Sequence, residues 1–555
     1  MKKTALVLLL AVAAYAGKAQ TYIDALTFSE SNYEGTARTL AMGNAFTALG
    51  GDLGAVSINP AGSAVAGYSQ ITFSPGLSIS ANTAGGTLLP GETAPSSFGN
   101  RLTNRATRFS VPNFGAVLNF DTHRTRGIKN ISIGFVSNAT DCYFDNPMTS
   151  GENAETSFMG AEAYFANGYD FGDLLSSDAY NYSSAPWRTI LAAQSGMISN
   201  LTDAPTEYIG ASEVINEGDN SISLGGPLYQ SYQRQNYGAK YDYVINFGMN
   251  ISDFVYVGAN LGITSFNYNS SVRFMESAVD PEDFLIEFHD NETGENIRTY
   301  FNDMMYDYRY SANGAGIYGK FGVIVTPLAG LRIGAAIQTP TSLTVNETWK
   351  ESGSTTYSDS GFDMSSETPL GEYSYRLISP FRANFGLAYT FGTYGLVSID
   401  YELCDYSTMM FKEIGMQSGE FDAENYMIKD FLGTSHMLRA GVEIKPLPAF
   451  AIRAGYGLTT APDKTTDADG NIVYAGQLAD GHALTHKVSF GAGYSSNGSF
   501  FADIACSMTK YHDEFIYPYD DYIIDASENT VTTFSPEILN RRSLWNVLLT
   551  IGFRF

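Results

Sequence analysis

Trp545-Asn546-Val547-Leu548-Leu549-Thr550-Ile551-Gly552-Phe553-Arg554-Phe555 is the stretch whose reading decides the fold. Every second residue is large and apolar: Trp545, Val547, Leu549, Ile551, Phe553 and Phe555. The residues between, Asn546, Leu548, Thr550, Gly552 and Arg554, are mixed or polar. Successive side chains of a strand point to opposite faces. One face therefore suits hydrocarbon, and the other suits water or a polar interior. The last strand of a soluble sandwich would alternate in the same way, so the rest of the sequence must separate the two readings.

The stretch stops on an aromatic residue, and in this it resembles the C-terminal strand of bacterial outer-membrane β-barrels. The resemblance implies that the barrel-assembly machinery recognises the strand ending at Phe555. The opposite terminus agrees. Lys2 and Lys3 precede an apolar run from Ala5 to Tyr15, followed by the small residues Gly17 and Ala19. This reads as a secretory signal peptide over residues 1–19, cleaved after Ala19 or Ala16. The run is too short to span a bilayer as a helix, and no Cys follows that would carry a lipid anchor.

Composition points the same way. The chain of 555 residues is 44% hydrophobic, yet no later run approaches a membrane helix. Tyr, Phe and Gly are abundant at 37, 35 and 55 residues, as expected where half of each strand faces lipid and aromatics form girdles. A net charge of −26 excludes nucleic acid, whose phosphates need a basic surface. Cys142, Cys404 and Cys506 cannot all pair with one another; the last two fall in predicted strands and read as small apolar fillers. Neither their spacing nor the scattered His residues suggest a zinc site.

Alternation predicts strands near 70–80, 111–120, 130–137, 243–251, 255–263, 317–325, 331–337, 381–391, 394–404, 437–444, 451–458, 487–494 and 500–508, with the C-terminal strand as the fourteenth. The linkers alternate between short and long; the largest, about 139–240, has roughly a hundred residues. Short turns at one end and long loops at the other mark an outer-membrane barrel. The expected fold is thus all-β: a transmembrane antiparallel β-barrel of about fourteen strands over residues 70–555, in the cell outer membrane of a Gram-negative bacterium. Such a barrel encloses a lumen wider than its own side chains fill. Residues 20–69, rich in Gly and Ala with few charges, suit a small N-terminal hatch inside it.

The hatch contains Gly35-Thr36-Ala37-Arg38-Thr39-Leu40-Ala41-Met42-Gly43-Asn44-Ala45-Phe46, then Gly50-Gly51-Asp52, then Asn59-Pro60-Ala61-Gly62. With Asp400-Tyr401, Leu438-Arg439-Ala440-Gly441 and Ile452-Arg453-Ala454-Gly455-Tyr456, it resembles the FadL-type family of outer-membrane fatty-acid and hydrocarbon transporters. The resemblance implies passive transport of a hydrophobic small molecule by a monomer, with no cofactor and no catalysis. An apolar ligand would be captured at loops facing lipopolysaccharide, and a kinked strand and mobile hatch would release it. Asn59, Pro60, Ala61 and Gly62 would be the hatch motif.

Candidate ligand contacts follow from the long loop. Ser184 to Gly196 reads as a short helix with Ser184 as N-cap, Pro186 in the first turn and Gly196 at its end. Trp187, Ile190 and Leu191 share one face, which would either line a capture groove or pack onto neighbouring loops. Arg38 would hold a ligand carboxylate or, more ordinarily, a lumen Asp or Glu. The ten carboxylates between 275 and 307, against Arg298 alone, read as a solvated loop rather than a cation site. Asp467-Ala468-Asp469-Gly470-Asn471 reads as a hairpin turn, and Gly314 to Gly319 enters a strand, not a dinucleotide-binding helix. Two other functions remain compatible with the barrel: a shuttle or scaffold in a protein-secretion machine, and haem uptake.

Overall fold

The computed structural model describes residues 21–87, 95–201, 204–216, 221–289, 296–415, 419–466, 472–474, 484–496, 499–526 and 529–555. The predicted signal peptide and the 467–471 turn lie outside them. Fourteen antiparallel strands form the wall: β1 (Gln70–Gly86), β2 (Leu102–Asp121), β3 (Ile128–Cys142), β4 (Leu228–Ile251), β5 (Val255–Ala278), β6 (Asn296–Leu328), β7 (Leu331–Gln338, resuming as Ser342–Tyr357), β8 (Gly371–Ile378, resuming as Arg382–Thr390), β9 (Gly395–Asp405), β10 (Thr434–Leu447), β11 (Phe450–Thr460), β12 (Leu484–Ser495), β13 (Phe500–Lys510) and β14 (Ile538–Arg554). Each pairs with the next, and β14 returns to β1 from Gln70↔Arg554 to Gly86↔Ile538. Closure removes the free edges that a lipid-exposed sheet cannot keep, apart from the upper part of β2. The interruptions of β7 and β8 fall at Pro340 and Pro380, which have no N–H to give a ladder.

The polarity of the wall is inverted relative to a soluble sandwich. Trp545, Val547, Leu549, Ile551 and Phe553 of β14 are exposed, as are Ile71, Phe73 and Leu77 of β1 and Ile245 and Phe247 of β4. Their alternates Thr72, Ser74, Asn246, Asn546 and Thr550 are buried. The apolar band faces lipid and the polar residues face the lumen, so the barrel spans the cell outer membrane. Short turns gather at one end. One of them, Ser252-Asp253, takes left-handed φ values of 59° and 57°. Ser69 and Phe555 exchange backbone hydrogen bonds of 3.1 and 3.0 Å beside these turns, which places both ends of the barrel at this periplasmic mouth.

At the other end the strands outrun the membrane. β6 has 33 residues, against the 9–11 or so that a spanning strand needs. The acidic 275–307 segment, read from sequence as a loop, is therefore largely sheet among the described residues; Arg273 and Asp307 face each other across β5 and β6 at 2.7 Å. The sequence signal there is weak because these extensions no longer separate lipid from lumen, so their apolar contrast fades.

Residues 22–69 fill the lumen. α1 (Tyr22–Ser29) starts with a capping box between Thr21 and Asp24. α2 (Ala37–Ala41) has Thr36 as its cap, and two tight turns follow at Gly54–Ser57 and Pro60–Ala64. Over the extracellular mouth, the segment between β3 and β4 builds a cap from α3 (Phe158–Ala166), α4 (Phe171–Leu175), α5 (Ala179–Tyr182) and α6 (Trp187–Gln194). Its core includes Phe158, Met159, Ile190, Leu191 and Met197, packed on Phe274 and Phe301 of the strand extensions.

Candidate functional site

An irregular segment inside a barrel must find partners for its own backbone polar groups, and here the wall supplies them. Asn59 is wholly buried. Its Nδ2 donates to Thr47 O at 2.6 Å and lies 3.3 Å from Val323 O of β6 and 3.4 Å from Ala335 O of β7. Its Oδ1 accepts from Ala61 N at 3.0 Å, and Pro60 occupies the first position of the turn that Asn59 caps. Asn246 donates to Pro60 O, Lys320 to Ser57 O and Arg332 to Leu49 O, at 3.0, 2.7 and 2.7 Å. Asp400 Oδ2 accepts from Thr47 N at 2.6 Å.

The wall also withdraws its side chains where the segment seats. A Cβ on Gly322 would lie 1.9 Å from Asn59 Oδ1, and one on Gly334 would lie 2.2 Å from Thr47 O. Arg38 is committed to the wall: its Nε donates to Glu443 Oε2 at 3.0 Å. The same oxygen accepts from Arg453 Nε at 2.7 Å.

Above this seat the lumen is aromatic. Phe28 of α1 is 0% exposed. It stacks on Phe266 with ring centroids 4.6 Å apart and meets the Tyr268 edge at 5.7 Å. Tyr143, Tyr310, Tyr375, Phe411 and Phe421 complete the same cluster. Phe266 lies over Gly314, where a Cβ would come within 2.3 Å of its ring. Phe28 thus occupies an apolar chamber on the extracellular side of the seat. Sequence reasoning missed this chamber. Its signal was the spacing of two in Phe266 and Tyr268, and in Tyr308 and Tyr310, on stretches read as loop.

The wall is incomplete beside the chamber. β2 pairs with β3 only from Asn113↔Asn138 to Asp121↔Asn130. From Pro112 upward β2 continues against β1 alone, while β3 stays paired with β4 as far as Cys142. The β1–β2 register also shifts here, between Ser74 and Gly76, where Pro75 faces Val111 and Pro112. Side chains span the unpaired stretch: Arg108 Nη1 donates to Gly238 O at 2.6 Å, and Asn104 Nδ2 to Asn146 O at 3.2 Å. Phe109 and Phe114, at the lower end of the gap, are exposed on the apolar face.

The predicted loop helix exists as α6, with Gly196 ending it at φ 73°. Pro186 rather than Ser184 takes the N-cap position, without a side-chain cap. Ile190 and Leu191 are 0% and 1% exposed in the cap core. Trp187 is half-buried, 5.9 Å from the Tyr180 ring and 6.3 Å from the Trp349 ring. The structure therefore brings Ile190 and Leu191 into packing and holds Arg38 near the periplasmic mouth, away from both. All three cysteines are free; Cys404 is buried, and Cys142 and Cys506 are half-buried.

No family model matches the sequence, and no curated protein matches it. Among solved structures the chain is similar to the P. putida toluene transporter TodX, at 11% identity and a TM-score of 0.49, covering 95% of this chain and 99% of that one. It is similar to a Pseudomonas aeruginosa FadL homologue, at 10% identity and 0.47 over 94% and 98%. It is also similar to the Ralstonia pickettii toluene transporter TbuX, at 12% identity and 0.42 over 96% and 100%. Two of these solved structures are thus toluene transporters and one is a FadL homologue, each matched along nearly its whole length.

Proposed function

We propose that the protein is a passive conduit, not an enzyme, through which small hydrophobic molecules such as long-chain fatty acids cross the outer membrane. The observation that carries this reading is the unpaired stretch of β2 above Pro112, next to a chamber lined with aromatic rings. Ligand sites for apolar solutes are mostly apolar, with few polar groups, and the chamber has that character. A solute in the chamber lies near a stretch of wall held by side chains rather than by a backbone ladder. Release there would be sideways, toward the apolar belt. In this reading residues 22–69 act as a hatch, with Asn59, Pro60, Ala61 and Gly62 fixing its seat, and Trp187 lies on the approach from the cap.

The test is uptake of a labelled long-chain fatty acid, and of toluene, by cells lacking the gene and complemented with variants at matched protein level. Arg108→Ala removes one bridge across the gap and should speed uptake. If deletion leaves uptake of every apolar solute unchanged while secretion of other proteins fails, the conduit reading falls and the scaffold reading replaces it.

A further inference from the structure

At the periplasmic mouth, on the far side of the seat from the aromatic chamber, lies a cavity of about 220 Å³. Three carboxylates and four cations line it, but they are placed differently. The carboxylates sit at the back and are already partnered. Glu443, 1% exposed, accepts from Arg38 and Arg453. Asp503 accepts from Arg453 Nη1 at 2.5 Å, and Asp52 from Thr36 Oγ1 at 2.6 Å and Gly54 N at 2.9 Å.

Arg38 and Arg453 are spent on those carboxylates, and the other two cations, Lys445 and Arg554, face the opening. The Lys445 side chain is 45% exposed and reaches Glu443 only at 3.9 Å. Arg554 has no carboxylate within ion-pair distance among the described residues. Its Nη1 donates to Ser495 Oγ at 3.0 Å, and its Nε is buried without a hydrogen-bond partner. The guanidinium lies 4.4 Å from the Phe501 ring centroid and 5.3 Å from that of Tyr68. Phe501 and Tyr68 form its aromatic wall, because Phe450 and Tyr494 are exposed with Ile452 and Phe490 on the lipid face.

We infer that this cavity binds a monocarboxylate carried on a small apolar body. The carboxylate is held by Arg554 and Lys445, and the body rests against Phe501 and Tyr68. A guanidinium and an ammonium converging on one opening suit a carboxylate, because hydrogen bonds between ionised partners are the strong ones. The size fits a single ring: an apolar cavity of about 150 Å³ already takes benzene. The inference goes beyond the uptake route, since it needs neither the aromatic chamber nor the gap in the wall.

Calorimetric titration of the full chain in detergent micelles with benzoate, and with benzyl alcohol as the uncharged counterpart, tests it. Benzoate should bind saturably and at least about tenfold more tightly than benzyl alcohol. Lys445→Gln and Arg554→Gln should each weaken benzoate by roughly tenfold, the lower end of what a hydrogen bond to a charged group contributes, and leave benzyl alcohol unchanged. Should Arg554→Gln fail to assemble, Lys445→Gln decides. Equal affinity for the two ligands, benzoate binding that Lys445→Gln does not weaken, or sulfate displacing benzoate at equal concentration overturns the assignment.

Discussion

Phe28 offers a measurement that joins packing to function. Phe28→Ala removes a wholly buried ring stacked at 4.6 Å on Phe266. Such truncations cost about 3–5 kcal/mol, the transfer term plus the cavity left behind. The cost falls on the docking of α1 rather than on the barrel, whose ladders do not involve this residue. Backbone anchors survive the change: Lys240 Nζ still donates to the carbonyl of residue 28, at 2.9 Å in the parent, and Arg382 Nη2 to Ser29 O at 2.7 Å. α1 should therefore stay in the lumen but open more often. Local opening sets amide exchange, so the α1 amides should exchange faster by roughly two to three and a half powers of ten. The vacated space is lined by Phe266, Tyr268 and Tyr310 and should stay dry, as apolar cavities do. Toluene at saturation should fill it and restore much of the protection. Unchanged exchange in α1, or exchange that toluene does not slow, would refute both the packing argument and the apolar character of the chamber.

Other outcomes follow from the same geometry. Pro60→Gly frees the backbone where Pro60 restricts φ and holds Asn59 extended; fatty-acid uptake should change at constant protein level, and unchanged uptake would remove the hatch role from this turn. Phe553→Asp with Phe555→Asp puts two charges on the lipid face of β14, so outer-membrane insertion should fail; a heat-modifiable band of normal intensity would contradict that. Burial raises the Glu213 carboxyl from 4.5 to about 7, against the Gly210 N–H that favours its ionised form and with the Glu276 charge adding to the rise. The folded cap thus favours protonated Glu213. Its contribution is complete below about pH 4.5 and is lost as pH rises through about 7. Cap amides should exchange faster at pH 8 than at pH 5 beyond the intrinsic chemical effect, and Glu213→Gln should abolish the difference. An epitope inserted at Ser252 or Gly392 should stay hidden on whole cells; surface labelling there would reverse the orientation.

The membrane belt was legible because lipid imposes a period of two on every strand. The stretches 243–251 and 255–263, with the three-residue turn Ser252-Asp253-Phe254 between them, lie within β4 and β5. Above the belt the same strands carry runs such as Asn267-Tyr268-Asn269-Ser270-Ser271, polar toward water on one face and aromatic toward the lumen on the other, and the contrast that marks a strand is weak. Pro340 and Pro380 likewise split β7 and β8, so only one half of each was read as strand. Within the site, Asn59-Pro60 was visible as a motif, whereas Phe28 and Phe266 are 238 residues apart in sequence and meet only because the barrel closes. The gap above Pro112 depends on which strand lies beside which, and no local pattern carries that.

The glycines that receive residues 22–69 limit how this luminal segment can move. Those of the wall meet residues 41–43, 47–48 and 59–64, among the described contacts, and none meets residues 22–34. The C-terminal two-thirds of this luminal segment is therefore keyed into a mould. Sliding it by one residue would drive its backbone into neighbouring Cβ atoms, and withdrawing it would leave bare peptide groups around a wet hole. The N-terminal third rests on long, flexible lysine and arginine side chains and on stacked rings, which can exchange partners cheaply. In the proposed conduit, the part of residues 22–69 that moves is α1, with the remainder as its fixed floor.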